Sequence, residues 1–211
     1  MGNMRTREYI DTFLADAKAI CDRISRDDVE KTIDILFDGW TRGACIFTFG
    51  NGGSASTATH FAADLAKCTV VPGRLRLRTH CLVDNIPLMS ALTNDDGWEN
   101  VYVEQLKSLF RPGDIGIAIS VHGGAGQDKA GLWSQNLMKG LQYIKDNGGK
   151  TIGFSGFDGG PMKELADACV VVPANSTPLV EGFHVVLHHL VTFGLAERIR
   201  DLERMSRITQ S

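Results

Sequence analysis

No excess of either charge marks this chain: 22 Lys and Arg stand against 25 Asp and Glu, a formal net of −3. A dedicated nucleic-acid binder normally carries a basic excess or stripe, so that class is set aside. Long apolar runs are missing too. The longest stretch without Asp, Glu, Lys or Arg, from Gly43 to Ala63, is broken by Gly50-Asn51-Gly52-Gly53-Ser54 and is too polar for a membrane span, so no membrane partner is expected. Met1-Gly2-Asn3-Met4-Arg5-Thr6-Arg7-Glu8 lacks the apolar core of a signal peptide, and a cytoplasmic protein is expected. Cysteines are few and unpaired. Cys21, Cys45, Cys68, Cys81 and Cys169 are odd in number and contain no Cys-x-x-Cys, so neither a disulfide framework nor a thiolate zinc site is indicated. Cys45, Cys81 and Cys169 lie in apolar runs and read as buried, inert thiols. Repeats and low-complexity segments are also lacking. What remains, 43% hydrophobic and 22% charged residues, is an ordinary globular mix. A length of 211 residues predicts a single domain spanning 1–211.

Residues 4–42 have helical periodicity. Ile10, Phe13, Leu14 and Ala17 recur at three- and four-residue spacing, as do Ile33, Leu36 and Trp40, with Ser25-Arg26-Asp27-Asp28 as a turn and N-cap between them. This predicts an N-terminal helical hairpin used in packing or oligomerisation. Its apolar face must be covered by the rest of the domain or by a second subunit. From Ala44 the pattern changes to five short apolar strands: 44–49, 79–83, 115–120, 151–154 and 168–172. Helices are expected near 57–67, 101–109, 133–147 and 178–201, with a short one near 162–166. Such alternation predicts an α/β fold, a five-stranded parallel sheet sandwiched by helices. Ligands of such sheets bind beyond the carboxyl ends of the strands.

Two of those ends carry glycine loops. Gly50-Asn51-Gly52-Gly53-Ser54 joins a strand to a helix, lets backbone N–H groups approach a ligand and presents a helix N-terminus, all suited to an anion. It matches neither the P-loop nor Gly-x-Gly-x-x-Gly, which disfavours a nucleotide. The second loop, His122-Gly123-Gly124-Ala125-Gly126 after Ser120, would sit at the same sheet edge. Together they predict a pocket for a sugar phosphate or similar small anion, into which His122 could face.

Histidines cluster on two helical segments. His60 and Asp64 are four apart and share a face; Glu181, His184 and His188 form a stripe, with His189 displaced by about 80° from Glu181 at roughly 100° per residue. Imidazole and carboxylate groups suit a divalent metal such as Zn²⁺ and equally suit proton transfer. On spacing alone Asp64 also reads as a solvated charge near Lys67, and Glu181 as a first-turn acid. His184 and His188 read best as core or interface residues among Phe183, Val185, Val186 and Leu187, and His80 as a strand residue.

Gly50-Asn51-Gly52-Gly53-Ser54 followed by His60-Phe61-Ala62-Ala63-Asp64-Leu65 resembles the start of the sugar isomerase (SIS) domain of phosphoheptose isomerases. So do Thr93-Asn94-Asp95-Asp96-Gly97, Arg111-Pro112-Gly113-Asp114, Thr151-Ile152-Gly153-Phe154-Ser155-Gly156 and the tail from Thr177 to His189. The resemblance runs from the N-terminal helices to about Glu197. It implies a flavodoxin-like parallel sheet, a homotetramer, and metal-assisted conversion of sedoheptulose 7-phosphate to D-glycero-D-manno-heptose 7-phosphate, commonly with zinc. It implies Asp64 and His189 as catalytic residues and His60, Asp64, Glu181 and His189 as metal ligands. Asn51, Gly52, Gly53, Ser54, Asp95, Ser120, Thr177 and Glu181 would contact substrate, with His122 replacing lost phosphate-loop hydroxyls. Three departures stand out. The family's Ser-Thr-Ser-Gly-Asn-Ser loop reads Ser120-Val121-His122-Gly123-Gly124-Ala125, with a longer segment up to Asn136; Asp64 replaces Glu; and Glu181 replaces Gln. Rival expectations are a non-catalytic SIS tetramer that binds a replication initiator protein, a sugar-phosphate sensor, and an isomerase of a different phosphosugar.

Overall fold

The computed structural model describes residues 5–124 and 134–208. Helix α1 (Thr6–Arg23) and α2 (Arg26–Arg42) form the hairpin. Ser25 caps α2, its hydroxyl accepting from the Asp28 amide at 3.2 Å, and Gly43 ends it in the left-handed conformation. The two helices differ in what they bury. α2 buries Val29, Leu36 and Trp40, whereas α1 buries only Ile20 and leaves Tyr9, Ile10 and Leu14 exposed.

Strand β1 (Cys45–Gly50) leads into α3 (Gly53–Cys68), then β2 (Arg78–Cys81), α4 (Ile86–Asp96), a 3₁₀ turn (Trp98–Asn100) and α5 (Val101–Leu109). β3 (Ile115–Ile119), α6 (Gln135–Asp146), β4 (Lys150–Gly156), α7 (Gly160–Leu165), β5 (Ala168–Val172) and α8 (Thr177–Ile208) complete the chain. All pairings are parallel and the strand order is β2-β1-β3-β4-β5. Residues 45–50 and 115–119 are buried throughout, as expected for strands with helices on both faces. One core layer joins α2, α3 and α8 to the sheet through Leu36, Phe61, Leu65, Leu187 and Val191; the other joins α5 and α6 through Tyr102, Leu106, Leu141 and Ile144.

α4 was not expected from the sequence. It has no buried residue, and its apolar residues follow no helical stripe; Ile86 is 72% exposed. Among the described residues α8 is the only helix long and apolar enough to cross a bilayer, yet 56% of that window is buried inside the fold. Its apolarity is that of a core helix.

The order of strand addition reverses between β1 and β3: β2 is laid on one side of β1, and β3, β4 and β5 on the other. The carboxyl ends of β1 and β3 are neighbours, with Gly50 paired to Ile119. A crevice at such a reversal is where α/β sheets bind ligands.

Candidate active site

The first glycine loop crosses from β1 to α3. Gly52 has φ 56° and ψ −125°, a conformation that a side chain rarely tolerates. Gly53 is needed for another reason: a Cβ there would stand 2.8 Å from Glu181 Oε1. The Glu181 carboxylate therefore lies against the N-terminal end of α3, where the helix dipole favours negative charge.

Asn51 is held from two sides. It exchanges reciprocal amide hydrogen bonds with Asn136 at 3.0 and 2.9 Å, and the Tyr102 hydroxyl lies 3.2 Å from Asn51 Oδ1 while donating to the Gly50 carbonyl at 2.5 Å. Tyr102 and Asn136 are fully buried. In the second loop the Ser120 hydroxyl accepts from the Gly124 amide at 3.1 Å, and the His122 ring packs on Phe157 with centroids 4.3 Å apart. Ala125 and Gly126 of that loop, and most of the longer segment noted above, lie outside the described residues. Asn51, Ser54, Ser120, His122, Ser134 and Glu181 line one cavity of about 160 Å³. Gly52, Gly53, Asp95 and Thr177 are not in this lining. Asp95 is exposed on α4, its carboxylate taking the Asn94 amide at 2.7 Å; Thr177 is exposed at the start of α8.

A second constellation stands where α3 packs on α8. Asp64 Oδ2 lies 3.4 Å from His60 Nε2, 3.2 Å from His189 Nε2 and 3.8 Å from His188 Nδ1. The rings crowd: His60 to His188 is 4.5 Å between centroids, and His188 to His189 is 4.1 Å. One ligand atom from each of the four residues lies within 4.8 Å of every other. His60 and His189 are about half exposed, Asp64 mostly covered and His188 fully buried. Burial, with His189 and His60 beside it, pushes the His188 imidazole down to about 4, against the opposing pull of Asp64.

The structure thus brings together His60, Asp64 and His189, and adds His188. Glu181 stands apart from this group, in the lining of the cavity below the glycine loops. His184 is a core histidine, as its apolar neighbours suggest: one ring nitrogen meets the Ser155 carbonyl at 3.1 Å, and burial pushes it down to about 4. His80 stands on β2, its ring 5.9 Å from that of Phe47. Four residues of the site escaped the sequence reading. Tyr102 sits in an ordinary amphipathic helix, and Asn136 and Ser134 follow a segment with no motif. His188 alone left a signal, through its place on the Glu181–His184 stripe.

A family model of the SIS domain matches residues 9–155. The chain is 42% identical over 180 residues to a lincomycin biosynthesis protein of Streptomyces lincolnensis, covering 83% of this chain and 64% of the relative. It therefore spans less than two thirds of that relative's length. A phosphoheptose isomerase of Aliarcobacter butzleri is 34% identical over 189 residues, 86% of this chain and 92% of the relative. Among solved structures, a phosphoheptose isomerase from Neisseria gonorrhoeae superposes with a TM-score of 0.80 over 92% of this chain and all of that one, at 22% identity. That likeness bears on the fold.

Proposed function

The chain belongs to the SIS-domain family, within which it groups with the phosphoheptose isomerases, and on that premise we propose that it is an aldose–ketose isomerase acting on sedoheptulose 7-phosphate. The observation that carries the reading is a cavity lined by Asn51, Ser54, Ser120, His122 and Glu181 together with an imidazole–carboxylate cluster, α3 and α8 contributing to both. Glu181 and His188 are seven residues apart on α8, about 10 Å along the axis. A sugar phosphate with several carbons between its phosphate and its carbonyl can bridge such a gap.

In the proposed reaction a proton moves between C1 and C2 through an enediol. The Ser54 and Ser120 hydroxyls, the loop amides and His122 hold the phosphate, and Glu181 meets a substrate hydroxyl. Asp64 and His189, 3.2 Å apart, take and return the proton. The donor set fits zinc: imidazole nitrogens and one carboxylate oxygen converge within 4.8 Å. His60, Asp64 and His189 would hold the ion. A divalent cation there supplies Lewis-acid polarisation of a carbonyl. Ligation weakens a base at the ligating atom, so with Asp64 Oδ2 and His189 Nε2 turned toward the ion, Asp64 Oδ1 and His189 Nδ1 would be the atoms left to handle the proton. We further propose a homotetramer, in which copies of the chain cover the apolar residues exposed on α1 and α8.

Incubating the protein with sedoheptulose 7-phosphate and Zn²⁺, and following the products by NMR, tests this. Aldoheptose 7-phosphate is expected, and Asp64→Asn and His189→Gln should each lower kcat/KM by about 10²–10⁴-fold. No aldoheptose with any divalent metal overturns the substrate assignment. A second reading, isomerisation of another phosphosugar, draws on the Val121-His122 loop and on the 42% identity to a lincomycin biosynthesis protein. A panel of phosphosugars separates the two.

A further inference from the structure

His188 has no chemical role in the reaction proposed above. It is fully buried, and neither ring nitrogen has a hydrogen-bond partner. Leaving a buried polar group unsatisfied costs stability, so a fold that retains one at the centre of a cluster calls for an explanation. His188 Nδ1 stands 3.8 Å from Asp64 Oδ2, too far for a hydrogen bond. That spacing is close to what a shared cation produces. Ligands about 2.1 Å from a tetrahedral ion lie about 3.4 Å from one another. Measured from Asp64 Oδ2, the three imidazole nitrogens are at 3.2, 3.4 and 3.8 Å.

We propose that His188 Nδ1 is the third nitrogen donor of a divalent-cation site completed by His60, Asp64 and His189, taking the place that the family resemblance gives to Glu181. The inference rests on the metal-assisted reading and deepens it. Two consecutive residues of a helix reach one point because they use different atoms. His188, on the inward side, offers the nearer Nδ1; His189, on the exposed side, offers the more distant Nε2. Three imidazoles with one carboxylate favour zinc-like ions over magnesium or calcium, which prefer all-oxygen shells. Glu181 fits a different task. Its carboxylate lies against Gly53 and lines the anion cavity, and the four-residue cluster closes without it.

The test uses the full chain stripped with a chelator and titrated with Co²⁺, read by visible absorption and by competition with a chromophoric chelator. Wild-type protein is expected to bind one Co²⁺ and to show ligand-field bands of an ordered site. His188→Gln should weaken binding by about tenfold or more, and Glu181→Ala, which leaves no donor at that position, should leave affinity and bands in place. His188→Leu, which keeps the site apolar and supplies no donor, should reproduce the loss, with the thermal transition of each metal-free variant showing that it is folded. The proposal falls if either His188 variant holds Co²⁺ at wild-type affinity, if Glu181→Ala loses it, or if the wild-type chain binds none. Turnover of sedoheptulose 7-phosphate by the wild-type preparation is measured alongside. Failure of the ligand assignment is thereby distinguished from failure of the isomerase reading.

Discussion

His184 shows what burial does to a titratable side chain with a single partner. Its ring is 1% exposed, one nitrogen meets the Ser155 carbonyl, and the other has no partner. Desolvation pushes its pKa from an ordinary 6.5 to about 4. Above pH 6.5 both the folded and the unfolded chain carry it neutral, and its contribution to stability is complete. As pH falls from 6.5 toward 4, the unfolded chain binds a proton that the folded chain refuses, so stability declines. The full effect is about 3 kcal/mol at roughly 1.4 kcal/mol per pKa unit. Urea denaturation at pH 7.0, 5.5 and 4.5 should show a shallower loss of stability for His184→Gln than for the wild type. Part of the slope stays in the variant, since His188 is depressed in the same direction. Equal slopes would mean that His184 is not buried neutral. At the other end of the site, Asn51 owes its placement to residues that carry no chemistry of their own. Tyr102 and Asn136 fix its amide from α5 and α6, so the first glycine loop is tied to the helix that follows the second.

At the scale of the element, legibility followed contrast in the sequence. The five strands stood out because short apolar runs end abruptly in glycine, serine or asparagine, and the structure puts strands at all five places. The hairpin turn was legible from Ser25, which does cap α2. α4 was not, because Ile86-Pro87-Leu88-Met89 places apolar groups on an exposed helix without a buried stripe, and periodicity registers only what a core selects. The tail helix illustrates a subtler limit. Helical spacing correctly groups Glu181, His184 and His188 on one side of α8, but successive turns of that side pack against different things. Glu181 meets the first glycine loop, His184 meets the Ser155 carbonyl, and His188 meets His60 and Asp64 on α3. A stripe tells which residues face inward. It does not tell what waits for each of them, and that depends on where α3 crosses. His189 joins His188 despite its angular offset because its longer reach through Nε2 makes up the difference.

For the whole molecule, the reversal of strand order between β1 and β3 explains why one edge of the sheet collects both glycine loops. The apolar surface is what the proposed tetramer would cover. Tyr9 and Leu14 on α1 are 55% and 62% exposed, and Val186, Leu190 and Phe193 on α8 are 54%, 51% and 50% exposed. Sedimentation velocity should find an assembly of four chains. Leu14→Glu, which disturbs no buried contact within the chain, should shift it to smaller species. A wild-type protein sedimenting at the 23.0 kDa of one chain would contradict this. The proposed roles of Asp64 and His189 require proton transfer between C1 and C2 of the substrate. His189 is 40% exposed, so a proton held in the cluster exchanges with solvent. The direct measurement is turnover of sedoheptulose 7-phosphate in D₂O with NMR of the aldose formed. Deuterium at C2 of the product is the predicted result, and product formed with only protium at that carbon would contradict proton transfer through the solvent-exchanging Asp64–His189 pair.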